Sequence, residues 1–150
     1  MNLGIYVDSI QENEQVHYAI HALNKGIEDD SLVDASLFYD AVGHNATPTR
    51  FGCFNSTDLW NFTGTLITTS LSSTRTALNI VNKFRVYYYY GWEPNKDVFG
   101  LIGLTTNPTV KTICRDENGA KELYRLTGSA PIGLVENFNL SEILQQVEHE

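Results

Sequence analysis

Positive charge is scarce in this sequence. Its 150 residues include 10 Lys and Arg against 18 Asp and Glu, which gives a formal net charge of −8 and a pI near 4.9. The basic residues are scattered along the chain rather than clustered. Nucleic-acid backbones and anionic membrane surfaces bind clustered Lys and Arg. The composition therefore argues against both as partners.

Long apolar runs are also absent. A membrane span needs about 18 or more consecutive apolar residues, and the sequence has no such stretch. Residues 1–5 carry no basic flank and no apolar run of signal-peptide length. We therefore expect a cytoplasmic protein without a membrane segment.

Cysteine is rare, with only Cys53 and Cys114 in the chain. Neither belongs to a CxxC motif or to a Cys/His spacing that would bind a metal. Both fall inside segments with a strand-like pattern. In a cytoplasmic chain such residues are expected to be buried free thiols.

Glycine is missing where several α/β families need it. The apolar residues 3–7 predict a first strand, and the turn that follows, residues 8–13, has no glycine. A dinucleotide site needs glycines there, and a P-loop needs a Gly-rich cradle ending in Lys-Ser/Thr. A flavin-phosphate loop would be rich in Ser, Thr and Gly, and an aspartyl-phosphate hydrolase would have a second Asp where Ile10 stands. These four kinds of site are disfavoured.

Hydrolase and metal chemistry lack their sequence signatures too. No serine lies in a Gly-x-Ser-x-Gly elbow, and neither cysteine has a helix-start or basic setting that would lower its pKa. His17 and His21 are four residues apart and would share a helix face, but the local sequence offers no third ligand. We interpret them as a solvent-side pair, and the sequence predicts neither a metal site nor a cofactor.

The strongest positive pattern lies in residues 64–93. A β-rich run at 65–70 leads through a hydroxyl-rich turn to a helical segment and a second β-rich run at 86–90, which closes on Gly91-Trp92-Glu93. This order predicts a βαβ unit with two parallel strands. Ligands gather beyond the carboxyl ends of such strands, so residues 70–73 and 92–93 are expected side by side.

Strands and helices alternate along the rest of the chain. Seven strands are predicted, over residues 3–7, 33–41, 50–54, 65–70, 86–90, 110–114 and 131–135. Because they are continuously apolar and separated by helices, they predict a parallel sheet covered on both faces. We expect one doubly wound, Rossmann-like α/β domain over residues 1–150, with the first strand central.

The helices are placed by their caps and apolar stripes. Ser9 and Glu12 have the spacing of a capping box for the first helix, and Lys25-Gly26 predicts its end. A short helix is predicted within residues 55–62, and the stripe of the middle helix comprises Ala77, Leu78, Val81 and Phe84. A later helix ends at Gly128 and a final one covers residues 139–147. Residues 94–109 are expected to be irregular up to the next strand.

The predicted strand ends define the candidate site. Asp8 is the candidate catalytic base and Glu93 a second candidate catalytic residue. The candidate ligand-binding residues are Ser9, Ser70, Ser72, Trp92, Arg115, Glu136 and Asn137. Carboxylates and hydroxyls beside an exposed indole suit a polyhydroxylated ligand.

Each of these assignments has a structural alternative. Asp8 and Ser9 are of residue types that cap helices, and they precede the predicted first helix. Ser72 or Ser73 would cap the middle helix in the same way. Capping is favoured over catalysis for Ser73 and for Asp116, and both interpretations stay open for Asp8.

The aromatic residues have alternatives as well. Trp92 is more often a core or interface residue than a ligand platform. The four tyrosines at 87–90 alternate sides on a strand, so two hydroxyls face each helical layer and need partners. We expect them to reach the layer margins, and a dimer contact is the second interpretation.

The layout of these segments resembles the amino-terminal half of a GT-B glycosyltransferase. The resemblance covers the whole chain and rests on the order of elements: a strand ending at Asp8-Ser9, then residues 64–70 (GTLITTS), 85–93 (RVYYYYGWE), 110–115 (VKTICR) and 130–138 (APIGLVENF). In that family an aromatic strand ends in Trp or a similar residue and an acid, and a later strand feeds a helix.

The resemblance implies a function in sugar or nucleotide-sugar binding. In the family the amino-terminal domain holds the acceptor and supplies a catalytic base, while a second domain binds the donor. That second domain would have to come from a partner protein, so autonomous glycosyl transfer is not expected and the enzyme assignment stays open. The alternative is a non-catalytic interaction or assembly module. One form of such a module is a homodimer that uses the tyrosine-rich strand or residues 94–109.

Overall fold

Seven parallel strands form the central sheet. A computed structural model describes residues 1–80, 84–93 and 97–148. The strands in chain order are β1 Asn2–Tyr6, β2 Ser9–Ile10, β3 Asp34–Tyr39, β4 Ala41–Val42, β5 Gly52–Asn55, β6 Gly64–Thr68, β7 Phe84–Tyr90, β8 Val110–Cys114 and β9 Gly133–Leu134. The central sheet has the order β5-β3-β1-β6-β7-β8-β9, and β2 pairs with β4 in a small parallel sheet.

Helices cover both faces of this sheet. They are α1 Glu14–Glu28, a 3₁₀ helix Ser56–Asn61, α2 Leu71–Leu78, α3 Val98–Thr105, α4 Glu117–Thr127 and α5 Leu140–Glu148. Alternate residues of β1 show how the layers divide: Leu3 and Ile5 pack with α1 and α5, whereas Tyr6 packs with the 3₁₀ helix and α2. Helices α3 and α4 complete the second layer. The predicted doubly wound α/β class and its seven strands are confirmed.

The strand order creates a switch point between β1 and β6. The chain leaves β1 toward α1 on one face of the sheet, and it leaves the neighbouring β6 toward α2 on the other face. Crevices at such points bind ligands in open α/β sheets. The first strand is interior, as the sequence predicts, but it is third in the order and β6 occupies the middle.

The start of α1 differs from the prediction. Ser9 and Ile10 pair with Ala41 and Val42 in the small sheet, so they cannot begin a helix. The N-cap is Asn13, whose Oδ1 accepts a hydrogen bond of 2.9 Å from the Val16 backbone N–H. The Ser9 capping box is therefore wrong, and so is the capping alternative for Asp8.

Helix α1 also continues past Lys25-Gly26 to Glu28, with Asp29 as its C-cap. Gly26 serves packing instead of termination, because a Cβ there would lie 2.3 Å from Cδ1 of Leu32. The glycine lets the chain return closely against the helix on its way to β3.

The middle of the chain holds two further corrections. Helix α2 ends at Leu78 with Asn79 as its C-cap, so Phe84 starts β7 and is not part of the helix stripe. Val81 lies outside the described residues. The interval predicted to be irregular contains α3, capped by Asp97. Its sequence, VFGLIGLT, has two glycines and only one polar residue, so it shows no helical alternation of polar and apolar positions.

The cysteines separate into two environments. Cys114 is buried and free, as expected, whereas Cys53 is free but exposed because β5 is an edge strand. In the described part of the chain, no helix is long and apolar enough to cross a membrane.

The tyrosines of β7 are core residues. Tyr87 and Tyr89 pack in the layer with α1, and Tyr88 and Tyr90 pack in the layer with α3 and α4. The alternation is confirmed. All four are at most 4 % exposed, so a dimer contact through this strand is wrong.

Candidate functional site

The carboxyl ends of β1 and β6 bring Asp8 and Ser70 together. The Ser70 hydroxyl donates a hydrogen bond of 2.8 Å to Oδ1 of Asp8. Ser70 is also the N-cap of α2, where its oxygen accepts from the Ser73 backbone N–H at 3.0 Å, and Ser73 completes a capping box. The capping role expected for Ser73 is confirmed as the partner of Ser70. Asp8 itself is exposed at the switch point.

Glu93 occupies the start of the same helix. Its Oε2 accepts hydrogen bonds from the Leu71 backbone N–H at 3.0 Å and from the Tyr88 hydroxyl at 3.3 Å. The two predicted catalytic carboxylates, Asp8 and Glu93, thus converge on the first turn of α2. We call Asp8, Ser70, Ser73 and Glu93 the switch-point group.

The surroundings of Glu93 change the pKa of its carboxyl group. Burial raises the pKa of this carboxyl above its ordinary value, and the negative charge of Asp8 acts in the same direction. The hydrogen bonds from Leu71 and Tyr88 oppose this rise in pKa. A carboxylate already occupies the helix start, the place where backbone N–H groups would otherwise bind a phosphate.

The predicted serines differ in their relation to this group. Ser9 follows Asp8 in β2 and is partly buried. Ser72 is exposed on the first turn of α2, next to the Leu71 N–H that Glu93 binds. Neither residue caps a helix, because Asn13 and Ser70 do so.

Trp92 is not an open platform for a ligand. Its indole stacks on Phe138 with ring centroids 5.1 Å apart, and the Arg115 guanidinium carbon lies 3.6 Å from the ring centre. The indole Nε1 is buried without a hydrogen-bond partner among the described residues. The expectation of an exposed indole is therefore wrong, and Trp92 positions Arg115 instead.

Arg115 is held by three neighbours. Besides its contact with Trp92, it donates a hydrogen bond of 2.7 Å to Oδ1 of Asn137 and a longer one of 3.4 Å to the Gly91 carbonyl. It lines a cavity of about 420 Å³ together with Asp116, Leu134, Glu136, Asn137 and Glu142. We call this the Arg115 cavity. It contains three of the predicted ligand-binding residues, Arg115, Glu136 and Asn137.

The carboxylates of the Arg115 cavity outnumber its single cation. Asp116 accepts a hydrogen bond of 2.6 Å from the Gly119 N–H as the N-cap of α4, which confirms the capping role favoured for it. Glu142 accepts a weak hydrogen bond of 3.4 Å from the Glu136 N–H. The sequence did not indicate Glu142, because it lies inside the last helix and not at a strand end.

The turn before α5 is built on unusual backbone. Asn137 and Phe138 have φ values of 45° and 57°, in the left-handed region that bulky residues seldom adopt. Phe138 is held there by burial and by Tyr89, whose hydroxyl accepts a hydrogen bond of 3.2 Å from the Phe138 N–H and donates to the Val135 carbonyl. Tyr89 thereby supports the position of Asn137 beside Arg115.

Sequence reasoning also missed a hydrogen-bonded support under β1. Oδ1 of Asp40 accepts from the Tyr6 hydroxyl at 2.6 Å and from the Ser56 hydroxyl at 2.7 Å. The Asp8 carbonyl accepts from the backbone N–H groups of Asp40 and Ala41, both at 3.1 Å. Burial and the hydrogen bond to Asp40 raise the pKa of Tyr6 to about 12. The position of Asp8 is thus braced from β3.

Metal binding has no support in the described residues, where no three His, Cys, Asp or Glu side chains are grouped to hold an ion. The rings of His17 and His21 are 4.3 Å apart on the exposed face of α1.

The chain matches no protein-family model, no curated protein and no solved structure.

Proposed function

We propose that the protein is a carbohydrate-binding domain, related to the acceptor-side domain of GT-B glycosyltransferases, that does not transfer glycosyl groups by itself. The observation that carries the proposal is the convergence of Asp8 and Glu93 at the switch point, where Ser70 links Asp8 to α2. Carboxylates in such a position accept hydrogen bonds from sugar hydroxyls, and each charged hydrogen bond contributes about 1.5–3 kcal/mol.

Charge favours a neutral sugar over a nucleotide sugar. Glu93 already caps the backbone N–H of Leu71, so the start of α2 repels a diphosphate instead of binding it. The alternative phosphate partner at the strand ends is Arg115, which shares its cavity with Asp116, Glu136 and Glu142. A domain of this kind depends on a partner protein to bind and activate a donor.

The proposal includes a location and a partner. Both cysteines are free, which fits a reducing compartment and therefore the cytoplasm. The partner would supply a donor-binding domain. It would approach the carboxyl ends of the strands, where the switch-point group and the Arg115 cavity lie.

Ligand-observed NMR tests the proposal. Glucose, N-acetylglucosamine, cellobiose and UDP-glucose are titrated against the wild type, Asp8→Asn and Glu117→Gln. Glu117 is an exposed carboxylate at the start of α4 that belongs to neither site group, so it is the matched control. We expect at least one neutral sugar to bind, Asp8→Asn to weaken it about fivefold or more, and Glu117→Gln to leave it unchanged. Absence of sugar binding, or equal binding by Asp8→Asn, contradicts the proposal.

Turnover is tested separately. Release of glucose or UDP from UDP-glucose by the purified chain, abolished in Asp8→Asn, would overturn the statement that the domain is not an autonomous transferase. Sugar binding without release would support it.

A second candidate function, an interaction module formed by two copies of the chain, is favoured by α3. Phe99 is 89 % exposed and Ile102 lies beside it on the same helix. Apolar side chains exposed in this way mark contact surfaces. Light scattering at rising protein concentration, with Phe99→Ser as the variant, distinguishes the two functions. A dimer that Phe99→Ser dissociates, in a protein that binds no sugar, would favour the interaction module.

A further inference from the structure

Another cleft begins at the amino-terminal ends of the strands and extends along β3 to Phe38, whereas the switch point lies at the carboxyl ends. The cleft has a volume of about 470 Å³, within the range of about 300–1,000 Å³ typical of small-molecule sites. Asn2 and Asp34, the first residues of β1 and β3, line it, as does Thr63 just before β6. The cleft therefore opens at the amino-terminal ends of the strands, and we call it the amino-edge cleft.

Three phenylalanine rings form the apolar wall of the amino-edge cleft. Phe38 lies between the other two, with ring centroids 5.3 Å from Phe62 in an edge-to-face arrangement and 6.1 Å from Phe54. Gly4 makes room for this cluster, because a Cβ there would lie 3.0 Å from the Phe62 ring and 3.1 Å from the Phe38 ring. Phe54 remains 41 % exposed, so its ring is open to a ligand.

Two carboxylates face the same space. Asp34 and Asp58 line the cleft, are exposed, and have no ion-pair partner among the described residues. None of the nine lining residues is Lys or Arg. The remaining polar groups of the wall are the Asn2 and Asn61 amides and two hydroxyls. Both charged side chains that line the amino-edge cleft are therefore acidic, within a protein whose net charge is −8.

Ser36 adds a buried polar group to this wall. Asp34, Ser36 and Phe38 are every second residue of β3, so their side chains lie on the same face of the strand, and all three line the cleft. Ser36 is only 7 % exposed, but its hydroxyl is not among the fully buried side-chain atoms that lack a hydrogen-bond partner in the described residues, so it reaches the open space of the cleft. A hydroxyl placed there is able to accept a hydrogen bond from a ligand or a water.

We propose that the amino-edge cleft binds a small organic cation, a protonated amine attached to an apolar body. The ammonium group lies between Asp34 and Asp58 and donates to the Ser36 hydroxyl. The apolar body packs on the exposed ring of Phe54, whose face attracts positive charge and which the buried Phe38 ring supports from the core. This site is independent of the sugar proposed at the switch point, since the two sites share no residue.

Three probes of nearly equal size isolate the role of charge: benzylammonium, benzyl alcohol and benzoate. Each is titrated into the ¹⁵N-labelled protein and followed by backbone chemical shifts. We expect benzylammonium to bind and to shift the backbone amide signals of Asn2, Ser36 and Thr63. Its affinity is expected to be at least about fivefold higher than that of benzyl alcohol, and the difference from benzoate is expected to be larger still. Added salt weakens the binding of benzylammonium and leaves that of benzyl alcohol unchanged.

Variants separate the contribution of each wall. Asp34→Asn and Asp58→Asn each remove one charge and keep an oxygen acceptor. Each is therefore expected to lower the affinity for benzylammonium about fivefold and to leave the affinity for benzyl alcohol unchanged. Phe54→Leu keeps apolar volume without the ring and is expected to weaken both ligands. Glu117→Gln is the charge-matched control away from the cleft. The proposal is overturned if benzylammonium causes no shifts at the cleft, if benzyl alcohol binds as tightly, or if neither Asp variant changes the affinity.

Discussion

The Ser70 hydroxyl donates a 2.8 Å hydrogen bond to Oδ1 of Asp8, across two neighbouring strand ends that are 62 residues apart in the chain. The same oxygen accepts the Ser73 N–H and so begins α2. The position of the candidate catalytic carboxylate and the start of the helix behind it therefore depend on one buried hydroxyl.

Ser70→Ala removes both interactions at once. The Ser73 N–H loses its cap, and Asp8 loses its only side-chain hydrogen bond within the described residues. We expect the free energy of unfolding to fall by about 1–2 kcal/mol, measured by urea denaturation. Ser72→Ala is the control, since Ser72 is exposed on the same turn, and its effect is expected to stay within about 0.5 kcal/mol. Equal effects of the two substitutions would contradict a capping role for Ser70.

Glu93 should make stability decrease with rising pH. Because burial raises the pKa of this carboxyl in the folded state, its contribution to stability is fully present below the ordinary value of 4.5 and is lost as pH rises through the raised pKa. Glu93→Gln keeps an oxygen for the Leu71 N–H and removes the charge. We therefore expect the stability of Glu93→Gln minus that of the wild type to increase as pH rises above the ordinary pKa of 4.5, in urea denaturation at several pH values. Glu117→Gln supplies the reference, and a Glu93→Gln difference that falls with pH would show that the helix start stabilises the ionised form.

Much of the fold was predictable because it depends on patterns within short segments of the sequence. Continuously apolar strands alternating with helices predict seven strands, the parallel sheet and its two covered faces. The errors lie where tertiary contacts override local signals. Ser9 has the spacing of a cap, yet pairing with Ala41 places it in β2. Gly26 resembles a helix stop, yet it makes room for Leu32 inside α1.

The candidate site was predictable to the level of the sheet edge. The rule for parallel strands places Asp8, Ser70, Glu93 and Arg115 at the same edge, and the structure confirms that Asp8, Ser70 and Glu93 meet. It could not indicate that Trp92 would be covered, since its partner Phe138 reaches it through a turn with left-handed backbone at two consecutive residues. The amino-edge cleft has no signal of this kind in the sequence. Its walls come from two strand starts, from the face of β3 and β5 that bears Phe38 and Phe54, and from the 3₁₀ helix, and none of these carries a motif.

The two thiols should react very differently. Partial burial raises the pKa of the Cys53 thiol, but Cys53 stays exposed on the edge strand, whereas Cys114 is buried and burial raises its pKa to about 12. The thiolate is the reacting form. We expect dithionitrobenzoate at pH 8 to modify one thiol in the native protein and two in urea. Cys53→Ser is expected to show no reaction until it is unfolded, and rapid native labelling of Cys53→Ser would mean that Cys114 is accessible.

Backbone strain beside Arg115 is measurable with a pair of substitutions at Asn137. Both Asn137→Gly and Asn137→Ala remove the 2.7 Å hydrogen bond from Arg115, so their difference excludes that contact. At a φ of 45° an alanine Cβ crowds the backbone, whereas glycine adopts the conformation freely. We expect Asn137→Gly to exceed Asn137→Ala in free energy of unfolding by about 1 kcal/mol, somewhat offset by the greater freedom of glycine in the unfolded chain. Urea denaturation of both variants gives the comparison. If alanine is as stable as glycine, the packing of Phe138 and Tyr89 does not hold residue 137 in the left-handed region.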